Sequence, residues 1–290
     1  MLLRTGVFVL LLFAADLLQA APDAVIEGIQ LPAWITRDGQ RQPLALGTEL
    51  KNSDEVSTGV SSRLLLRLGD GSMVKLGENG RLRISDLVQK RKQGFIAATL
   101  KVLEGAFRFT TEAAVKARGS RDITVQFPTI TAGIRGTDIW GKNLGDKEVV
   151  VLIEGKISVT RAGDQSVEMK DPLTYLQAPK AGAATVEAVA MEQLKAWAAE
   201  TEISDGAGAM RKGGRWKLYL GSYSQQLEAL SLYDSLRREG YPVRIQPGEA
   251  DGGQIYRLRL AGFSSEQEAI LLGTRLKQGN SRLEPIASLQ

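Results

Sequence analysis

WKLYLGSYS, from Trp216 to Ser224, and YRLRLAGFS, from Tyr256 to Ser264, decide the fold of the C-terminal part of this chain. The two segments lie forty residues apart, and the same offset carries Leu218 to Leu258, Leu220 to Leu260, Ala229 to Ala269, Leu232 to Leu272 and Leu236 to Leu276. A repeat of this kind marks one supersecondary unit used twice. Each copy opens with period-two alternation, the pattern of a strand, and continues with apolar residues sharing one helix face. Ser265 and Glu268 form a capping-box pattern, while Gly240 and Asn280 stand where helices end in the left-handed conformation. YPVRI and RLEPI supply short closing strands. The order is βαββαβ, a split βαβ (ferredoxin- or RNP-like) α+β fold with two helices covering one face of a four-stranded sheet.

In that fold the two opening strands are central neighbours. Trp216, Leu218 and Leu220, with Tyr256, Leu258 and Leu260, then meet the helices, and Lys217, Tyr219, Arg257 and Arg259 share the uncovered face. A ring among three cations suits the apolar face of a sugar together with an anion. RNA-binding modules of this topology stack bases on the same face, but with paired exposed aromatics that this sheet lacks. A merely solvated sheet face is the alternative, since cations are common on exposed strands.

Upstream, turn signals separate short alternating runs. Leu64, Leu66 and Leu68 alternate with Arg63 and Arg67; Asp70-Gly71 makes a hairpin turn; Val74 and Leu76 follow; Asn79-Gly80 turns again before Leu82 and Ile84. The expectation is a three-strand meander. Glu104-Gly105 and Glu154-Gly155 separate further strand-like runs, and no stretch from Leu46 to Thr160 shows sustained helical periodicity. This part reads as all-β. The glycines serve turns, and Asp70, Glu78, Glu104, Asp138 and Glu154 read as solvated turn carboxylates, not as a glycosidase pair. Arg135 offers a guanidinium to an anion or to buried carbonyls, and Lys90-Arg91-Lys92 reads as an exposed loop.

Composition narrows the chemistry. The 290 residues hold 37 Lys and Arg against 33 Asp and Glu, a net charge of +4, with no His and no Cys. Imidazole bases, Ser-His and Cys-His nucleophile pairs, thiolate chemistry, disulfides and His or Cys metal sites are excluded. No cofactor is expected. The net charge is too small to indicate nucleic acid. Residues 1–21 place Arg4 before an apolar run from Val7 to Ala15 and end in Ala20-Ala21, the layout of a cleaved signal peptide; an uncleaved anchor is the alternative. The resulting organisation is a signal peptide over 1–21, an all-β domain over 30–180, a helix and flexible linker over 181–213, and the α+β domain over 214–290. The helix is expected over Thr185–Glu202 and the tether over Ser204–Gly214, where four glycines gather.

Two resemblances follow from the quoted residues. Gly47, Asp54, Val56, Thr58-Gly59, Ser62, Asp70-Gly71-Ser72, Leu76-Gly77, Glu104-Gly105, Arg108-Phe109, Pro128-Thr129, Ile134-Arg135-Gly136-Thr137 and Val151–Gly155 resemble the FecR domain family. Sigma-regulating members of that family carry a cytoplasmic segment and a membrane span ahead of the domain, whereas here residues 1–21 lead almost directly into it. That departure weighs against an anti-sigma role, and what the resemblance implies is an extracytoplasmic module whose ligand it leaves open. Trp216–Tyr223, Ala229, Leu236, Gly240-Tyr241, Tyr256-Arg257-Leu258 and Phe263 resemble the SPOR family of peptidoglycan-binding repeats. That resemblance implies binding of glycan strands stripped of stem peptides, enriched at division sites, with the open sheet face as the glycan site. Ser222 and Arg257 fall on matching positions, and Tyr219 stands where the family usually has Gln. The glycan-binding expectation is Lys217, Tyr219, Ser222, Arg257 and Arg259. The expected protein is non-enzymatic and periplasmic, a cell-wall binder that presents its β domain to an envelope partner. The alternative is an envelope sensor whose β domain binds a protein and whose C-terminal domain only positions it.

Overall fold

A computed structural model describes residues 24–90, 95–111, 121–134, 136–161, 166–250 and 252–289. The leader, Arg91-Lys92 and Arg135 lie outside the described residues. The strands of the N-terminal domain are β1 (Ala24–Gln30), β2 (Ala33–Arg37), β3 (Gln40–Pro43), β4 (Glu55–Thr58), β5 (Arg63–Leu68), β6 (Met73–Leu76), β7 (Arg81–Lys90) and β8 (Phe95–Thr110), followed by β9 (Arg121–Gln126), β10 (Ile130–Ile134), β11 (Asp138–Asn143), β12 (Lys147–Glu154), β13 (Ile157–Arg161), β14 (Val167–Met169), β15 (Thr174–Pro179) and β16 (Thr185–Ala188). Helix α1 (Met191–Ala199) and β17 (Ala209–Arg211) lead to β18 (Trp216–Tyr223), α2 (Gln226–Arg238), β19 (Arg244–Ala250), β20 (Gly253–Phe263), α3 (Glu266–Gly279) and β21 (Ile286–Leu289).

The N-terminal domain is all-β, as its alternation requires. One sheet runs β16-β15-β12-β11-β8-β6-β5-β1-β17, antiparallel throughout. The other runs β3-β2-β4-β7-β8-β9-β10-β13-β14, with β8 and β9 parallel. Leu64, Leu66 and Leu68 turn inward from β5 against Val74, Leu76, Phe107 and Phe109, all buried. Each such side chain contributes about 1.5–3 kcal/mol by leaving water.

The meander is only half present. β5 and β6 pair across the Asp70-Gly71 turn, where Gly71 has φ of +96° and the Asp70 carboxylate accepts from the Ser72 N–H. β7, however, leaves that sheet and pairs with β4 and the first half of β8. Asn79-Gly80 is thus a corner between sheets, fixed by Thr58, whose Oγ1 donates to the Gly77 carbonyl and accepts from Gly80 N. Glu104-Gly105 is a second corner, inside β8. Gly105 has φ of +79°, and a Cβ there would approach the Gly80 Cα to 2.6 Å. Only glycine meets both demands.

The connection also departs from expectation. Of Thr185–Glu202, the first four residues form β16 on the open edge of β15, and the helix spans only Met191–Ala199. Thr185 and Val186 are β-branched, and an unpaired edge offers their backbone partners that a helix start would lack. The tether is ordered. β17 pairs with Gly28–Gln30 of β1 and bridges Phe263 of β20 through Met210. Its glycines serve conformation and not flexibility, since Gly206 and Gly208 have φ of +82° and +78°. The two domains share one continuous core that includes Met210 and Phe263. They are also joined by hydrogen bonds from Trp34 Nε1 to the Arg238 carbonyl, Ala33 N to the Gly240 carbonyl and Arg275 Nη2 to the Leu31 carbonyl.

Candidate functional site: an open sheet face

β18 and β20 are central neighbours, with β21 outside β18 and β19 outside β20, giving the order β21-β18-β20-β19 of a split βαβ fold. Leu218, Leu220, Leu258 and Leu260 are buried with Ala229, Leu232 and Leu236 of α2 and Ala269, Leu272 and Leu276 of α3. Gly273 lets α3 approach closely, because a Cβ there would come within 3.0 Å of Leu218 Cδ1. Gly240 ends α2 at φ of +88° as expected, but Asn280 is extended at φ of −148°; its Oδ1 accepts from Arg282 N instead. The closing strands begin at Arg244 and Ile286, later than the sequence suggested.

The face opposite the helices carries the expected residues in cross-strand rows. Ile286, Tyr219, Arg259 and Arg244 are directly opposite one another across all four strands. Ser222, Arg257 and Gln246 form a second row, and Ser288, Lys217 and Ala261 a third. Strict alternation along β18 would send Ser222 to the helix side. A bulge between Tyr219 and Gly221 shifts the register by one, so Ser222 joins Tyr219 on the open face. Gly221 takes φ of +154° there, and a Cβ would strike the Tyr223 hydroxyl. Gly248 on β19 leaves room for the Arg257 guanidinium, whose Nη1 would lie 3.0 Å from any Cβ at that position.

Among the described residues, no carboxylate forms an ion pair with Lys217, Arg244, Arg257 or Arg259. The Arg259 Nε–H is buried without an acceptor. Four uncompensated cations beside a half-buried tyrosine make a surface of positive potential with an aromatic floor, suited to a ligand with both a flat apolar face and an anion. Arg244 and Ile286 were not among the residues singled out from the sequence. Their signal is the register of two edge strands, which alternation within one strand cannot supply.

The β domain has no comparable open cluster of the residues its sequence marked. Asp70 is held by Arg121 at 2.7 Å, Asp138 by Arg108 at 2.7 Å, Glu104 by Arg81 at 2.8 Å, and Glu78 accepts from Ser61 N. Asp70 and Asp138 are thus structural pairs and not solvated turn carboxylates, and Asp138 in fact opens β11, whereas Glu78, Glu104 and Glu154 are exposed, as expected from the sequence. The hydrogen bonds from Arg108 to Asp138 raise the guanidinium pKa further, against the opposing effect of burial.

Residues 54–158 match the FecR protein family and residues 212–286 match the SPOR domain family. The chain carries a FecR domain followed by a SPOR domain. Two crystal structures, each described as a candidate anti-sigma factor from Parabacteroides distasonis ATCC 8503, are similar to it at a TM-score of 0.41. One is 15% identical, covering 78% of this chain and 91% of its own; the other is 14% identical, covering 81% and 99%. No curated protein matches the chain. The SPOR domain supports peptidoglycan binding, and the FecR domain fits envelope signalling with a protein partner. Both domains are binding and signalling types, not enzyme types. Among the described residues, no helix is long and apolar enough to cross a membrane.

Proposed function

We propose that this is a non-enzymatic periplasmic cell-wall protein, exported by its residue 1–21 leader. It binds peptidoglycan glycan strands free of stem peptides, the material of division septa, and presents its FecR domain to another envelope protein. The observation that carries this reading is the Ile286–Tyr219–Arg259–Arg244 row beside Lys217, Ser222 and Arg257. The Tyr219 ring suits the apolar face of a sugar, Ser222 its hydroxyls, and the arginines the muramic acid carboxylate. No cofactor or metal takes part.

The test is co-sedimentation of the full chain with purified sacculi, before and after an amidase removes stem peptides. Stronger sedimentation with stripped sacculi is expected. Tyr219→Ala combined with Arg259→Ala should weaken it about tenfold or more, the effect of losing roughly 1.4 kcal/mol of binding. Equal sedimentation by that variant would remove the open face as the binding site.

An envelope sensor in which the SPOR domain only positions the FecR domain is the second reading. It is favoured by the shared core and the β17 splice, which fix one domain relative to the other. Capture of an envelope protein by the Tyr219→Ala/Arg259→Ala chain, at wild-type yield, would select it.

A further inference from the structure

The outward face of the β15-β12-β11-β8-β6-β5 sheet carries chemistry that neither the core nor the wall contact uses. By cross-strand register one row across it reads Tyr175, Val151, Trp140, Arg108, Lys75 and Leu65. The outer face of a sandwich sheet is ordinarily polar. Here one half is apolar, with Trp140, Val149 and Val151 buried in a cluster separate from the core, and the other half is cationic.

α1 and the residues after it lie along this row. Leu194 is buried in the apolar cluster, and Trp197 stacks on Trp140 with ring centroids 5.0 Å apart and planes at 11°. Tyr175 meets Trp197 edge-on at 5.7 Å. Glu200 then pairs with Lys142 at 2.7 Å, and Glu202 pairs with both Lys75 and Arg108. The cover matches its groove in polarity from end to end, yet it is weak as a helix. It has nine residues, Ala190 gives no side-chain cap, its last turn has no basic residue, and Leu194 is its one buried residue. Isolated helices need about 12–15 residues to hold in water. Beneath it the Trp140 indole N–H is buried without an acceptor.

We propose that this row is a helix-docking groove for a partner protein, occupied in cis by α1. The partner it fits offers an acidic amphipathic helix. An apolar residue and a tryptophan stand three positions apart, and carboxylates follow three and five residues after the tryptophan, as Leu194, Trp197, Glu200 and Glu202 do here. The tethered α1 acts at an effective concentration of about millimolar, so an outside helix binds well only when α1 is weakened or outcompeted. This rests on the reading that the FecR domain serves a protein partner. Loss of sacculus binding would leave it standing, and its own failure would leave wall binding standing.

The probe is a fluorescent synthetic peptide of residues 189–204, titrated into the full chain by anisotropy. Against a Leu194→Ala/Trp197→Ala chain, which opens the groove, it should bind at least about tenfold more tightly than against the wild type. The same peptide carrying Trp197→Ala should not bind. No binding to the opened chain, or equal binding of the two peptides, overturns the proposal. A second measurement needs no variant: native-state hydrogen exchange of the wild type. Amides of 192–199 are expected to exchange by local opening, well ahead of β11 and β12. Exchange of α1 only together with those strands would show that it is not displaceable, and would equally overturn the proposal.

Discussion

Replacing Glu268 with alanine tests how the two domains are joined. The side chain sits in the first turn of α3, 4% exposed, and its carboxylate accepts from Gly206 N, from Gly208 N at 2.6 Å and from Ala209 N at 2.7 Å. Gly208 and Ala209 are buried and Gly206 is exposed. After the substitution Gly206 regains water, whereas two buried donors lose a charged acceptor. At about 1.5–3 kcal/mol for each hydrogen bond to a charged group, and with some relaxation of the loop, the loss is about 3–5 kcal/mol. That is a large fraction of the roughly 5–15 kcal/mol that holds a typical native state together. Glu268→Gln keeps the shape and one oxygen but brings amide hydrogens toward the backbone donors, so it should fall between alanine and wild type. Urea unfolding of the full chain, followed by tryptophan fluorescence and far-ultraviolet circular dichroism, reads both the loss and its form. The two probes should coincide for wild type. They should separate for Glu268→Ala as the SPOR domain comes away from the sandwich. Unfolding within about 0.5 kcal/mol of wild type, with coincident probes, would refute the idea that this carboxylate locks the connection.

Other outcomes follow from the same contacts. Gly77→Ala places a Cβ 2.7 Å from the Glu200 carbonyl oxygen and 3.3 Å from Ala106 Cβ. It should destabilise the chain by about 1–3 kcal/mol and speed amide exchange in α1, and an unchanged melting temperature would contradict the path of the connector over β6. Burial disfavours the charged form of Glu27, but hydrogen bonds from Arg67 and Lys212 outweigh it and hold the carboxyl below its ordinary 4.5. A depressed pKa adds stability that is present above 4.5 and lost as pH falls through the folded-state value. Glu27→Gln should therefore reduce stability at neutral pH and flatten its decline on the acid side, measured as melting temperature against pH; a parallel acid limb would count against it. Sacculus binding should weaken with added salt if the uncompensated cations of the SPOR face carry it, and a salt-independent pellet would point to apolar contacts alone.

Much of the SPOR face was legible because a repeat supplies a second reading of the same element. Leucines recurring at a fixed offset identify the buried side of β18 and β20, and the residues between them must face the other way. The bulge at Gly221 was not legible from alternation, because one extra residue reverses the facing of everything after it, and Ser222 is reached only through family resemblance. In the FecR domain, alternation revealed strands but misassigned their partners. Asn79-Gly80 and Glu104-Gly105 look like hairpin turns because the left-handed backbone that Asn79 (φ of +49°) and Gly105 (φ of +79°) adopt serves a turn and a corner between sheets alike. Which of these it serves depends on Thr58 and on the contact between Gly80 and Gly105, both remote in the chain.

Strand or helix, inward or outward, and the absence of imidazole and thiol chemistry are local properties, written in spacing and residue type. Pairing partners, the ordered connector and the α1 cover arise from contacts between residues far apart in the chain. Glu268 shows the division well. Its place four residues into a capping pattern reads as the local reach back to Ser265, and Ser265 Oγ does accept from its backbone N–H, yet its carboxylate turns to three amides some sixty residues upstream. Buried donors take the strongest acceptor within reach, and what lies within reach is settled only when the whole chain has closed on itself.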